Sequence, residues 1–472
     1  MCKKFILYML FLCIATVINP CRTFADNNIS NTNVYIDVNG QRLYPDAPPI
    51  LSNDRTLVPV RGIFEKLGAD VEWYDDQKIA VVNYNNTTIN LQVDNPVASI
   101  NGVQKQMDVP PMIYNNRTMI PLRFIAENLG MSVQWVGEAN LATITESSYF
   151  NNLPAKTILG YTTNDYKGDV DSYNSLSKYT GNVTSIAAFA YQIDFDGSLK
   201  QTTQPQNDTV KLANSNNVKS LVLIHNFYKG GFDRNLADTV LSDPAKRTAL
   251  IHNILVTISR EAYAGINVNI ENVPWNDRDN YTAFVKELKE TLTPYGFLTT
   301  LSIPAKTYDS QSGDNWSRGF DYSALGKYAD QILIMTYDEH FFGGNPGPVA
   351  SEPWVDRVMS YATQNIPSNK LLLGIAAYGY DWSSVGNKVV MYKNADSLIS
   401  SQNTQSQWDS SSLSPYFTYF KDGVTHTVWY ENSTSISDKL DLVSKYHLGG
   451  IGIWRMGFDN DDFWTAVKNK LG

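Results

Sequence analysis

Residues 264–271 read Ala-Gly-Ile-Asn-Val-Asn-Ile-Glu, in which apolar and polar residues alternate as in a β-strand. Side chains alternate between two faces along a strand, so the branched apolar residues share one face and Asn267, Asn269 and Glu271 share the other. Each buried polar group that lacks a partner loses ~1–3 kcal/mol. A polar ladder that ends in a carboxylic acid therefore indicates either a catalytic site or a fully hydrogen-bonded structural network.

Apolar runs of strand length recur on both sides of this stretch. The candidate strands are 157–161, 185–191, 218–225, 265–271, 297–303, 331–337, 371–378 and 450–454. Helical patterns such as 243–261, 279–293 and 434–447 lie between them. Near-continuous apolar strands that alternate with helices indicate an α/β fold, a (β/α)8 TIM barrel over residues 156–472. Residues 381–433 predict a small α+β insertion after strand 7.

Polar and aromatic residues stand where these predicted strands end. In barrels of this kind the chemistry sits at the carboxyl ends of the strands, so residues there are the first candidates for a functional site. These candidates are Tyr161, Glu271, Tyr337, Asp338, Tyr378 and Trp454.

The front of the chain contains an internal repeat, in which residues 39–73 match residues 101–135 without a gap. Asn-Gly pairs at 39 and 101 are typical of hairpins, and Pro59 and Pro121 are expected to begin short helices. We predict a duplicated α+β module over residues 33–147 whose two units share one core, followed by a linker at 148–155. We expect this module either to attach the protein to the cell wall or to act as a plain folded stalk.

Residues 1–25 resemble a secretory signal peptide, with lysines first and then an apolar run that is short for a membrane span. An uncleaved anchor is the alternative. All three cysteines lie in this segment, so the exported chain is expected to contain no disulfide. The whole chain has a net charge of −9, and the segment carries three basic residues and no acid. The remaining acidic surface argues against nucleic acid as a partner.

Four motifs of the second half resemble glycoside hydrolase family 18, which includes chitinases and spore-wall N-acetylglucosaminidases. Residues 264–271 match the strand-four signature Asp-x-x-Asp-x-Asp-x-Glu at its final acid. Residues 335–338 match the strand-six signature, 373–382 the strand-seven signature and 449–455 the strand-eight signature. The segment 426–432, which contains Glu431, resembles the spore-cortex branch.

The resemblance implies a role for each candidate. Family members use the acetamido group of the substrate as nucleophile, so one protein acid protonates the leaving oxygen. Glu271 falls on that acid, and the residue two before it orients the acetamido group. By the same resemblance Tyr337 binds the acetamido carbonyl, Asp338 holds the distorted sugar and Trp454 forms the floor beneath it. Further expected substrate contacts are Asn267, Tyr161, Tyr378 and Glu431.

The sequence departs from the family pattern at the assisting position, where Asn269 replaces Asp. An amide accepts a hydrogen bond but supplies no negative charge to the oxazolinium ion. Loss of one such stabiliser lowers a rate by about 10²–10³. We therefore expect a secreted hydrolase of β-1,4 bonds next to N-acetylglucosamine, acting on peptidoglycan, spore cortex or chitin-type glycan in the cell wall. The alternative is a weakened or inactive, lectin-like barrel.

The front module resembles the copper amine oxidase N-terminal-like domain. Copper prefers imidazole or sulfur ligands. All five histidines (225, 252, 340, 426 and 447) lie outside the module, as do the cysteines. We also find no zinc-like spacing and no phosphate-binding loop, and so expect no cofactor.

Overall fold

The computed structural model describes residues 29–30, 33–153, 156–201, 205–310 and 316–472. The predicted signal peptide, residues 1–25, lies outside the described residues.

A β-rich front module precedes the barrel. The helices of the module are α1 (Val60–Phe64) and α2 (Leu122–Asn128). Its strands are β1 (Ile29–Ser30), β2 (Tyr35–Val38), β3 (Gln41–Leu43), β4 (Ile50–Ser52), β5 (Arg55–Pro59), β6 (Asp70–Tyr74), β7 (Ile79–Tyr84), β8 (Thr87–Gln92), β9 (Val97–Ile100), β10 (Val103–Gln106), β11 (Met112–Tyr114), β12 (Arg117–Pro121), β13 (Met131–Val136) and β14 (Leu141–Glu146).

The two repeats of the module meet at an approximate twofold axis. Strands β5 and β12 pair antiparallel, with Val58 opposite Ile120. These two residues are equivalent positions of the repeat, so the axis passes between them. Val58 and Ile120 are wholly buried in a core to which both repeats contribute. The predicted shared core is therefore present.

Reciprocal ion pairs obey the same symmetry. Asp46 of the first repeat pairs with Arg117 of the second at 2.7 Å. The equivalent residues, Asp108 and Arg55, pair at 2.8 Å. Each repeat thus supplies the acid for the arginine of the other. These side chains are exposed, so each pair adds at most about 1 kcal/mol and mainly fixes the alignment of the repeats.

The second unit is the predicted (β/α)8 barrel. Its strands and those of its loops are β15 (Thr157–Thr162), β16 (Ser185–Ile193), β17 (Leu199–Gln201), β18 (Lys219–His225), β19 (Phe227–Tyr228), β20 (Gly231–Phe232), β21 (Gly265–Asn269), β22 (Leu298–Pro304), β23 (Gln331–Met335), β24 (Leu371–Ala376), β25 (Tyr378–Ser383), β26 (Gly386–Met391), β27 (Gln407–Asp409), β28 (Ser414–Lys421), β29 (Val424–Trp429) and β30 (Gly450–Trp454). Its helices are α3 (Asp171–Tyr179), α4 (Asn207–Ser215), α5 (Arg234–Leu241), α6 (Pro244–Glu261), α7 (Arg278–Leu292), α8 (Tyr322–Tyr328), α9 (Glu352–Asn365), α10 (Ala395–Ser401), α11 (Ser433–Lys445) and α12 (Asp461–Leu471).

Eight parallel strands close the barrel in the order β15, β16, β18, β21, β22, β23, β24 and β30, and β30 pairs again with β15. After β24 the chain forms a five-stranded antiparallel sheet, β26-β25-β29-β28-β27, together with α10. This sheet corresponds to the predicted insertion after strand 7, but it begins at Tyr378, which was predicted to end that strand. Within the described residues, none of the helices combines the length and apolar composition needed to cross a bilayer.

Several barrel strands end earlier than predicted. Strand β21 stops at Asn269 and β23 at Met335, two residues short of the predicted ends. The residues beyond leave the ladder and turn at the mouth of the barrel, where Asn272 and Asp338 adopt the left-handed conformation. Asn and Asp tolerate that conformation better than other non-glycine residues. The turns carry the functional side chains out of the sheet and toward the opening.

The front module packs against the opposite end of the barrel. Gly40 lies against the backbone just before β21 and β22, where a Cβ would come within 3.0 Å of the Ala264 carbonyl oxygen and 2.7 Å of the Gly296 carbonyl oxygen. Arg42 donates to the carbonyl of Ser259 at 2.6 Å. Tyr149, in the segment predicted as a linker, is buried among the inward apolar residues of the barrel. That segment is therefore also a plug at the amino ends of the strands.

Candidate active site

The backbone of Glu271 is clamped by one side chain of the neighbouring strand. Asn226, which directly follows β18, accepts from the Glu271 backbone N–H at 2.9 Å and donates to its carbonyl at 2.8 Å. Asn226 is itself wholly buried. No role for Asn226 is predicted from the sequence, although it follows a predicted strand end, which was the available signal. The clamp fixes the point from which the Glu271 side chain enters the barrel mouth.

The carboxyl group of Glu271 receives two N–H donors. Asn269 Nδ2 lies 3.2 Å from Oε1, and the indole nitrogen of Trp316 lies 3.1 Å from Oε2. Burial raises the pKa of Glu271 to about 7, both hydrogen bonds oppose that rise, and the negative charge of Asp338 adds to it. A carboxyl group that titrates near neutrality can donate a proton and later accept one.

The amides beneath Glu271 are not equivalent. Asn267 is satisfied, because it donates to Thr300 Oγ1 at 3.0 Å and accepts from Ser302 Oγ at 2.8 Å. Asn269 uses its amide nitrogen on Glu271, whereas its Oδ1 is buried without a partner in the described structure. An unpaired buried acceptor loses ~1–3 kcal/mol. Asn269 therefore presents an acceptor that a bound N–H group would satisfy.

Tyrosines surround the carboxylate of Asp338. Its Oδ1 accepts from the hydroxyls of Tyr378 at 2.6 Å and Tyr380 at 2.8 Å. The residue is exposed as a whole, whereas partial burial of its carboxylate raises its pKa and the two hydrogen bonds oppose that rise. Burial also raises the pKa of the neighbouring Tyr337 well above its ordinary value. The Tyr337 hydroxyl therefore remains a hydrogen-bond donor at neutral pH.

Aromatic rings form the base of the same opening. Trp454, the last residue of β30, is half-buried. Its ring lies 5.5 Å from that of Tyr161 and 5.9 Å from that of Phe189, centroid to centroid. Tyr161 is buried and its hydroxyl lies 2.6 Å from Ser302 Oγ, so it supports the floor from below. His225 stacks on Phe189, and burial lowers its pKa to about 4.

Glu431 lies in a different environment. Its Oε2 accepts from Lys439 Nζ at 2.8 Å and from the hydroxyl of Ser435, in a cluster whose side chains are about 2% exposed. A carboxylate in a buried ion pair has almost no exposed surface to offer a sugar. The structure therefore gives no support to the prediction that Glu431 binds substrate, and it assigns this residue to the packing of α11.

Trp316 is a second site residue, after Asn226, that is not predicted from the sequence. Its side chain is 45% exposed, and its ring meets the edge of Phe232 with centroids 6.3 Å apart. Position in the loop after the fifth strand was the available signal, because no motif marks the residue. Trp316 covers the outer side of the Glu271 carboxyl group.

The described side chains do not form a cluster of the kind that binds a metal ion. Among the described residues, no group of three or more His, Cys, Asp or Glu side chains could hold one. The front module contains neither His nor Cys in its sequence between residues 33 and 147.

An eight-stranded parallel barrel whose fourth strand presents a carboxylic acid that titrates near pH 7, beside tyrosines and a tryptophan floor, defines the class of barrel glycosidases. Residues 157–459 match the model of Glycosyl hydrolases family 18. The chain belongs to this family. Residues 37–144 match the Copper amine oxidase N-terminal domain, so both predicted resemblances are confirmed.

Relatives and solved structures agree with this assignment. The uncharacterized glycosylase YvbX of Bacillus subtilis (strain 168) is 32% identical over 66% of this chain and 90% of its own length. The spore cortex-lytic enzyme SleL of Bacillus cereus superposes with a TM-score of 0.64 at 27% identity, over 67% of this chain and 74% of its own. The chitinase of Chromobacterium violaceum superposes with a TM-score of 0.62 at 30% identity, over 67% of this chain and 99% of its own.

Proposed function

We propose that this protein is a secreted, wall-associated glycosidase that hydrolyses β-1,4 bonds next to N-acetylglucosamine by a substrate-assisted, retaining mechanism. The observation that carries the proposal is the buried Glu271 carboxyl group, with a pKa of about 7 and an unpaired acceptor, Asn269 Oδ1, beside it. Spore cortex is the favoured substrate, because SleL is named a spore cortex-lytic enzyme and the segment 426–432 resembles that branch.

The first step breaks the bond between the sugar C1 and the leaving oxygen. Glu271 gives its proton to that oxygen, while the acetamido carbonyl oxygen of the same sugar attacks C1 and forms a cationic oxazolinium ring. Asn269 Oδ1 accepts the acetamido N–H, which becomes more acidic as the cation forms. The Tyr337 hydroxyl donates to the acetamido carbonyl oxygen and orients it for attack.

The second step returns the active site to its starting state. The Glu271 carboxylate takes a proton from water, the water oxygen attacks C1, and the ring opens to restore the acetamido group. Configuration at C1 is retained because it is inverted twice. Trp454 supports the apolar face of the sugar. Asp338, which Tyr378 and Tyr380 hold in place, accepts hydrogen bonds from the sugar hydroxyl groups.

The purified chain incubated with chitotetraose and with cortex muropeptides, beside Glu271→Gln, tests this proposal. We expect new reducing ends from the wild type and a loss of about 10²–10⁴ in kcat for the variant, since general acid catalysis is removed. The products should form first as the β anomer, as NMR would show. Equal rates for the two proteins would contradict the role of Glu271, and an α product would contradict retention.

A second function is favoured by one observation, the neutral amide at position 269. Without a negative charge beside the oxazolinium ion, the barrel could bind the glycan and release no product. Calorimetry on the same samples separates the functions. Binding of chitotetraose by both proteins with no product from either would identify a lectin.

A further inference from the structure

The front module contains a cavity that the proposed hydrolysis does not use. Its volume is about 630 Å³, within the ~300–1,000 Å³ range typical of small-ligand sites. Both repeats contribute to its wall, the first through Trp73 and Arg61 and the second through Ile113 and Arg117. The cavity therefore exists only because the two repeats are docked.

The lining of the cavity has an apolar floor and a polar rim. Buried Pro59, Val60 and Val71 form part of the floor, and the half-buried indole of Trp73 stands beside them. Trp73 is held in place by a hydrogen bond from its Nε1 to Asp75 Oδ1 at 3.2 Å. The charged rim residues, all exposed, are Asp46, Arg61, Glu72, Asp75, Lys78 and Arg117.

The rim balances three cationic side chains with three acidic ones. A cavity with no net charge gives no long-range attraction to a strongly ionised polymer. Its planar donors and acceptors instead match the hydroxyl and acetamido groups of neutral sugars. The indole offers a flat apolar surface for the C–H face of a sugar ring.

The internal repeat supplies a comparison within the same molecule. At the equivalent positions of the second repeat, Phe124 replaces Gly62, Gly137 replaces Asp75 and Asn140 replaces Lys78. A Cβ at Gly62 would lie 3.1–3.3 Å from Pro45, Asp46 and Pro59, so a side chain there points at the cavity wall. The first repeat thus brings to this cavity three residues that the second repeat lacks at the equivalent positions.

We infer that this cavity binds a short run of uncharged, N-acetylated sugar residues, and so gives the front module its own glycan-binding site. The choice of sugar rests on the proposed function of the barrel, whereas the presence of a site does not. The site would hold the enzyme on an insoluble wall between cleavage events.

Cosedimentation of the full chain with insoluble cortex peptidoglycan tests the site, with Glu271→Gln as the common background so that the polymer survives. Trp73→Ala removes the stacking surface, and Gly62→Phe copies the residue of the second repeat. We expect about tenfold weaker binding from each. The matched control is Trp135→Ala, the equivalent tryptophan, which is 38% exposed and should bind like the parent.

Binding by Trp73→Ala that equals the parent, or an equal loss in Trp135→Ala, would overturn the inference. Thermal unfolding checks that the variants fold. If Gly62→Phe does not fold, the binding of Trp73→Ala alone tests the inference. With Glu271 intact, both cavity variants should hydrolyse chitotetraose at the rate of the unmodified chain. If the unmodified chain cleaves no substrate, the proposed hydrolysis is wrong. The comparison of binding between the variants still tests the cavity in that case.

The ligand class is tested by 19F NMR on the full chain labelled with 5-fluorotryptophan, with the Trp73 signal assigned from Trp73→Phe. Chitotetraose should shift that signal. If a free stem tetrapeptide shifts it and chitotetraose does not, the site recognises peptide and the saccharide assignment is wrong.

Discussion

The indole nitrogen of Trp316 donates to Oε2 of Glu271 across 3.1 Å. A hydrogen bond to a carboxylate favours its charged form, so this contact opposes the burial that raises the pKa of Glu271 to about 7. The tryptophan belongs to a different strand-end loop from the acid it contacts. The proton affinity of the candidate catalytic acid therefore depends on where that loop sits.

Replacement of Trp316 tests this dependence. The acid is protonated below its pKa, so turnover should fall as pH rises through about 7. Trp316→Phe removes the donor, which raises the pKa of Glu271 and moves the falling limb of the kcat–pH profile to higher pH. Trp275→Phe, at another exposed tryptophan, is the control and should leave the limb in place. A limb unmoved in Trp316→Phe would contradict the coupling.

Asp338→Asn should shift the same limb in the opposite direction. The charge of Asp338 raises the pKa of Glu271, so its removal lowers that pKa and the decline begins at lower pH. Glu339→Gln is a matched control that should leave the limb in place. The Glu339 carboxylate accepts from the Ser351 backbone N–H at 2.7 Å and is not among the groups that shift the pKa of Glu271. The full kcat–pH profile of each variant gives the answer. Identical shifts in both variants would show that the effect is not specific to Asp338.

Asn269→Asp should raise kcat on chitotetraose. The new carboxylate supplies charge to the developing oxazolinium ion, and such a stabiliser changes a rate by about 10²–10³. Asn269→Ala removes the acceptor as well, and should lower kcat below that of the wild type. If Asn269→Asp brings no gain while the wild type turns over, another group already provides the charge.

Lys439→Met should destabilise the barrel. It leaves Glu431 buried and unpaired, which typically costs about 3–5 kcal/mol of unfolding free energy. The double variant Glu431→Gln with Lys439→Met should recover part of that loss in urea unfolding. Glu431→Gln alone should leave KM for chitotetraose unchanged. A raised KM in a fully stable Glu431→Gln protein would restore this residue to the substrate site.

The barrel could be predicted because its signals are local. Buried parallel strands appear as apolar runs, so the predicted ends of β15 and β30 agree with the structure to within one residue. The polar ladder of β21 follows from alternation alone. Trp316 and Asn226 could not be assigned, because their contacts depend on how separate loops converge. The ion pair of Glu431 with Lys439 could not be predicted either, because the motif fixes the position of Glu431 along the chain and leaves its partner unspecified.

The twofold arrangement of the front module makes each copy depend on the other. Strand β5 finds its neighbour in β12, and the Asp46–Arg117 pair and its symmetric counterpart run between the copies. One copy alone would expose the edge of its strand and half of an apolar interior. The second copy meets both needs, because it pairs with the strand edge and covers the apolar interior. The two copies therefore complete each other within one chain in the way that the subunits of a symmetric dimer do.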